Sequence, residues 1–118
     1  MFKVLTTRSF ERDAKSLLKK YVSLRSELIE LGDVLAENPT LGTSLGHDCY
    51  KIRISIKSKR KGKSVGARII TYVVTEKSEV ILLTIYDKQV KADISSKELR
   101  TLLEDLDEQT TQKQLKSI

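Results

Sequence analysis

Two periodicities alternate along the chain. Phe2 to Thr6 has the make-up of a short strand and gives way to a polar helix-start signal at Thr7 and Ser9. Phe10, Ala14, Leu17, Leu18 and Tyr21 then recur at helical spacing, leaving Arg12, Asp13, Lys15 and Lys19 for the wet face. Ser23 is placed to cap a second helix whose apolar stripe is Leu24, Leu28, Leu31 and Leu35, joined by Val34. Pro39 ends it, because proline disfavours helical geometry in the residue before it, here Asn38. The first half thus predicts a helical hairpin.

From Thr40 to His47 the chain is rich in Gly and Ser and reads as a loop. Tyr50, Ile52, Ile54 and Ile56 next alternate with Lys51, Arg53, Ser55 and Lys57, the period of a strand with one packed face and one cationic face. Lys57 to Gly66 is polar and predicts a flexible hairpin excursion. Ala67 to Val74 and Val80 to Tyr86 are apolar at nearly every position, so both faces of these strands should be covered. Their connections are too short for a parallel crossover, which implies antiparallel pairing. Ile94 to Leu99 then carries a complete helix-start signal: Ser95 as cap, Glu98 as its reciprocal partner, and Ile94 with Leu99 as hydrophobic staple. Leu99, Leu102, Leu103 and Leu106 form the apolar face of this last helix. Beyond Leu106 the polar sequence leaves three alternatives: an exposed continuation of the helix, a frayed end, or an end packed on a partner. The order of elements indicates an α+β fold rather than a repeating βαβ one.

Composition bounds the function. The 118 residues, 39% hydrophobic and 32% charged, suit one soluble domain spanning 1–118. No apolar run reaches the roughly 20 residues of a membrane span, and no apolar signal region opens the chain. A single cysteine, Cys49, and a single histidine, His47, supply neither an internal disulfide nor a paired metal-binding motif. A cytoplasmic protein that engages no membrane and needs no cofactor is the expectation.

Charge is unevenly placed. The net charge is +6, and Tyr50 to Arg68 contains eight basic residues with no acidic one, whereas Ser95 to Ile118 has four basic and five acidic residues. Lys51 and Arg53 leave the same face of an extended strand, and with Lys57 they make a basic row about 20 Å long by strand rise alone. Arg68 would join that row if the following strand pairs across the hairpin, and Lys59, Arg60, Lys61 and Lys63 could close over it as RNA-binding residues. Such a patch holds phosphate first and reads bases second. The plainer alternative is an edge strand protected by charge and followed by a solvated loop.

Ribonuclease chemistry needs neither metal nor histidine when the ribose 2′-hydroxyl is the nucleophile. The protein must align that hydroxyl with the phosphorus, stabilise the phosphoryl oxygens and assist two proton transfers. Arg68, Arg53, Lys51, Lys88 and Tyr86 are the available catalytic set, with Tyr86 equally suited to packing its ring and leaving its hydroxyl wet. Tyr50 is better placed for core packing. His47 is a candidate acid or base only by residue type, and a lone surface histidine usually has no such role. The isolated Asp48 and Asp87 and the carboxylates of the last helix do not form a metal-nuclease pattern, and no phosphate-binding glycine loop precedes a helix.

Three segments in order, His47 to Arg53, Gly62 to Tyr72 and Leu82 to Lys88, resemble the RelE-type toxins of bacterial toxin–antitoxin modules, particularly the HigB-like branch. The resemblance implies a compact RelE-like antiparallel sheet flanked by an N-terminal helical hairpin and a C-terminal helix. It also implies a metal-independent endoribonuclease that cuts messenger RNA in the ribosomal A site and leaves a 2′,3′-cyclic phosphate. The family's basic strand positions correspond to Lys51 and Arg53, its phosphate-stabilising arginine to Arg68, and its basic position after the last core strand most nearly to Lys88. The tyrosine some members carry in the C-terminal segment has no clear counterpart, since Tyr86 lies earlier. Implied partners are the ribosome with its mRNA, a cognate antitoxin, and operator DNA through the toxin–antitoxin complex. A gyrase-directed, ParE-like toxin on the same broad fold and a non-catalytic nucleic-acid-binding protein are the alternatives.

Overall fold

A computed structural model of the chain describes residues 1–59 and 66–106 and the strand at 110–114. Within them the elements run β1 (Lys3–Thr7), α1 (Arg8–Lys20), α2 (Leu24–Glu37), β2 (Thr43–Gly46), β3 (Cys49–Ile54), β4 (Ala67–Val74), β5 (Glu79–Asp87), α3 (Ser96–Glu104) and β6 (Thr110–Gln114). The strands form one sheet in the order β2-β3-β4-β5-β1-β6. The α+β class and the flanking helices are as expected from the sequence. The sheet is mixed, because β1 lies parallel to β5 while the β2 to β5 meander and the β1–β6 pair are antiparallel.

Each face of the sheet has its own core. Phe10, Ala14, Leu24, Leu28 and Leu35 of the helical hairpin pack on Val4, Ile52, Ile69, Val80, Leu82 and Ile85. On the other face Leu99, Leu102 and Leu103 of α3 cover Cys49, Ile70, Ile81, Leu83 and Tyr86. Thr7 starts α1 as expected, its hydroxyl accepting from the Phe10 N–H at 3.1 Å. The Ser95–Glu98 capping box of α3 is complete in both directions.

Four local expectations change. Ser23 precedes α2 without capping it, because its hydroxyl is engaged by Ser58 and Glu27. Val34 falls off the packed stripe and is exposed. The Gly/Ser-rich loop contains strand β2, joined to β3 by a two-residue turn in which His47 and Asp48 both have positive φ, as primed hairpin turns require. Within the polar tail Thr110–Gln114 forms β6 against β1 rather than a continued helix, and residues 107–109 and 115–118 lie outside the described residues.

One irregularity decides what faces where. Between the pairs Ile70↔Thr84 and Thr71↔Leu82, β5 has one more residue than β4, which is a β-bulge. Side chains alternate strictly along β4, yet on β5 Leu82 and Ile85, three residues apart, both reach the helical-hairpin core. The extra residue therefore resets the alternation and turns Tyr86 toward α3.

Candidate active site

The site is a cross-strand row at one end of the sheet. Arg53 of β3 is the register partner of Arg68 on β4, and Arg68 is the partner of Tyr86 on β5. Residues directly opposite in antiparallel strands hold their side chains about 5 Å apart at the Cβ atoms. Three strands thus bring two guanidinium groups and a phenol onto one face. Lys51, two residues before Arg53, projects from the same face and reaches across it. Arg53 is exposed, Arg68 and Lys51 are half-buried, and Tyr86 is buried with its hydroxyl at the rim of the α3 core.

Asp93, in the connection between β5 and α3, closes this face. Its carboxylate accepts from Lys51 Nζ at 3.3 Å, from the Tyr86 hydroxyl at 3.4 Å and from the Ile94 N–H at 2.8 Å. The Ile94 N–H and then the Lys51 ammonium hold its pKa below the usual carboxylate value. Tyr86 moves the other way: burial, followed by the Asp93 charge, raises its phenol to about 12, against a smaller lowering effect of Arg68. Tyr86 is therefore a neutral hydrogen-bond donor at physiological pH. Lys91 lies over its ring at 5.3 Å and pairs with Glu98 on α3.

The remaining expected residues are distributed differently. Lys88 donates through Nζ to the Ala92 carbonyl at 2.8 Å, so its ammonium is turned to the same connecting loop as Asp93. Lys57 is exposed but has left the strand row, because β3 ends at Ile54 and the Lys57 N–H donates to Glu27 of α2 at 2.7 Å. Lys59, expected among the RNA-binding residues, is withdrawn from the surface: its ammonium pairs with Asp87 at 2.8 Å with both side chains almost fully buried. Arg60, Lys61 and Lys63 lie outside the described residues. Tyr50 is half-buried and belongs to neither core cluster. His47 sits in the β2–β3 turn, facing a cavity of about 310 Å³ lined also by Leu45, Ser96, Leu99, Arg100 and Leu103. That is the opposite end of β3 from Arg53. Cys49 is wholly buried, and burial pushes its thiol up to about 11.

The family model for the RelE toxin of the RelE / RelB toxin–antitoxin system matches residues 2–118. The chain belongs to the RelE toxin family. Among solved structures it is similar to a doubly substituted E. coli RelE toxin in the free state, at 20% identity and a TM-score of 0.57, covering 89% of this chain and 97% of that one. The isolated E. coli RelE toxin matches at 20% identity and a TM-score of 0.53, covering 88% and 98% respectively. At such identities these likenesses carry the fold. The family assignment makes this a toxin of the RelE type.

The cationic face has donors suited to an anionic group such as a phosphate, and Asp93 is the residue of the candidate site that sequence patterns did not bring out. One signal pointed to it: between Asp87 and Glu98 it is the sole carboxylate, in a segment that also carries Lys88, Lys91 and Lys97. Among the described residues no three His, Cys, Asp or Glu side chains converge as a metal site would need.

Proposed function

We propose that the chain is a ribosome-dependent mRNA endonuclease that cleaves by attack of the ribose 2′-hydroxyl on the adjacent phosphorus. The observation that carries this is the Arg53–Arg68–Tyr86 row, with Lys51 on the same face, on a toxin of the RelE family. As the 2′-oxygen gives up its proton to water and bonds to phosphorus, the bond to the 5′-oxygen breaks and that oxygen takes up a proton, leaving a 2′,3′-cyclic phosphate and a 5′-hydroxyl. Arg53 and Arg68 act on the phosphoryl oxygens, where charge builds up, through forked donors that stay protonated. Tyr86, a phenol with a raised pKa, is suited to donate a hydrogen bond, or the proton the leaving oxygen takes up, and unsuited to act as a base.

Lys51 and Tyr86 both lie on Asp93 in the free protein. An incoming phosphate would take over these donors, and Lys88 would add positive charge from the loop beside it. Positioning the 2′-hydroxyl would fall chiefly to the ribosome, which holds the mRNA in a fixed path. The same cationic face would receive an acidic or helix-forming segment of a RelB-type antitoxin, which would block it, and the toxin–antitoxin complex would bind operator DNA.

The test is a translating extract programmed with one message and supplied with the purified protein. Cleaved message should carry 2′,3′-cyclic phosphate ends, and Arg68→Ala should lower cleavage by about 100-fold or more, the scale of losing one preorganised donor to developing charge. Unchanged cleavage in a folded Arg68→Ala protein would remove the row from the mechanism.

A further inference from the structure

Opposite the candidate site, on the helical-hairpin side of the sheet, lies a buried polar cluster centred on Asp87. Its Oδ1 accepts from Lys59 Nζ at 2.8 Å and from the Gln89 N–H at 2.9 Å, and its Oδ2 accepts from the Tyr21 hydroxyl at 3.0 Å. Lys59 Nζ also donates to the Gly66 carbonyl at 3.2 Å and stands 5.2 Å above the Tyr21 ring. That carbonyl receives the Lys88 N–H as well, at 3.2 Å. An ion pair with both side chains over nine-tenths buried is a costly way to add stability, since an apolar pair of similar volume generally does as well. Its location suggests another use.

We infer that Lys59, Asp87 and Tyr21 are positioning residues that hold the Arg68–Tyr86 row in its working geometry; the inference rests on the nuclease proposed above. Asp87 directly follows Tyr86 and pairs in register with Ala67, which directly precedes Arg68. Lys59 ties this pair to Gly66, at the mouth of the β3–β4 connection. Tyr21, at the end of α1, fixes the carboxylate from the hairpin side. Through Gln89 the same carboxylate starts the turn that leads to Asp93. The cluster thus grips both strands immediately beside the two site residues, from the opposite face of the sheet, without any of its polar atoms lying in the site. Residual movement there displaces Arg68 and Tyr86 from each other, and displacements near 1 Å cost about 100-fold in rate.

The experiment compares wild type with Tyr21→Phe, Lys59→Met and Asp87→Asn, and with Leu31→Ala as a control that loses core packing on α2 away from the cluster. Two readouts are taken on folded protein: single-turnover mRNA cleavage against ribosome concentration, and the 13Cζ resonance of Tyr86. The cluster variants should cleave about 10- to 100-fold more slowly at saturating ribosomes with KM nearly unchanged, and should shift or broaden the Tyr86 signal. Leu31→Ala should do neither. Tyr21→Phe, which removes one oxygen, keeps the comparison open if the other two fail to fold. Cluster variants matching wild type in rate and resonance would overturn the inference. A wild type that does not cleave would count against the proposed function, and the Tyr86 resonance alone would then decide whether the cluster positions the row.

Discussion

Asp93 and Asp87, six residues apart, illustrate how environment separates two carboxylates of one type. Asp93 is exposed, pairs with the Lys51 ammonium and accepts a hydrogen bond from the neutral Tyr86 phenol; its charge is the second cause of the raised Tyr86 pKa, after burial. Asp93→Asn should therefore bring the Tyr86 phenol down from about 12 toward the ordinary value of about 10, followed by NMR titration of labelled tyrosine. Asp87 is buried. Burial alone would raise its pKa, but Lys59, the Gln89 N–H and Tyr21 together bring it below the usual value. A depressed folded-state pKa stabilises the fold at neutral pH, and that contribution disappears as pH falls below about 4 and through the folded value. Asp87→Asn, which leaves Lys59 buried without a counter-charge, should cost about 3–5 kcal/mol at pH 7 in urea unfolding, and the gap to wild type should narrow by pH 3. A gap of equal size at both pH values would contradict the assignment.

At the scale of elements, close approach between β3 and β4 sets the register that joins Arg53 to Arg68. A Cβ on Gly66 would stand 1.8 Å from the Ile54 carbonyl oxygen and 2.8 Å from its carbon, both backbone atoms that cannot swing aside. Gly66→Ala should accordingly destabilise by about 1–3 kcal/mol, seen as a lower urea midpoint, the scale of an overpacked contact. Much of this architecture was legible from residue pattern. The alternation of Lys51 and Arg53 against Ile52 and Ile54 placed the cationic face, and Ser95 with Glu98 marked the start of α3. The missing parts have physical reasons. Thr43 to Gly46 and Thr110 to Gln114 lack apolar alternation, so β2 and β6 owe their form to pairing with a neighbour. The bulge on β5 was invisible because a strand apolar on both faces has no alternation to break. Nothing local distinguishes Lys59 from the other lysines of its charged run; its burial depends on Asp87, 28 residues further on.

Across the whole molecule, the sheet separates two tasks. Its helical-hairpin face carries the larger core and the Asp87 cluster, while its α3 face carries the cationic row, closed on one side where the connection after β5 folds back through Asp93. A net charge of +6 gathered largely on one stretch of chain gives the protein a general attraction to polyanions, and in the proposed function the ribosome is the surface on which that attraction becomes positional. The proposed function requires catalysis by this row on ribosome-held message. It is tested most directly by mapping RNA ends across the transcriptome after brief induction of wild type and of Arg68→Ala in cells. With wild type, new ends should appear within coding regions, in phase with codons at the ribosomal A site, and they should be almost absent with Arg68→Ala. Growth arrest with messages left intact, or ends that ignore the reading frame, would contradict it.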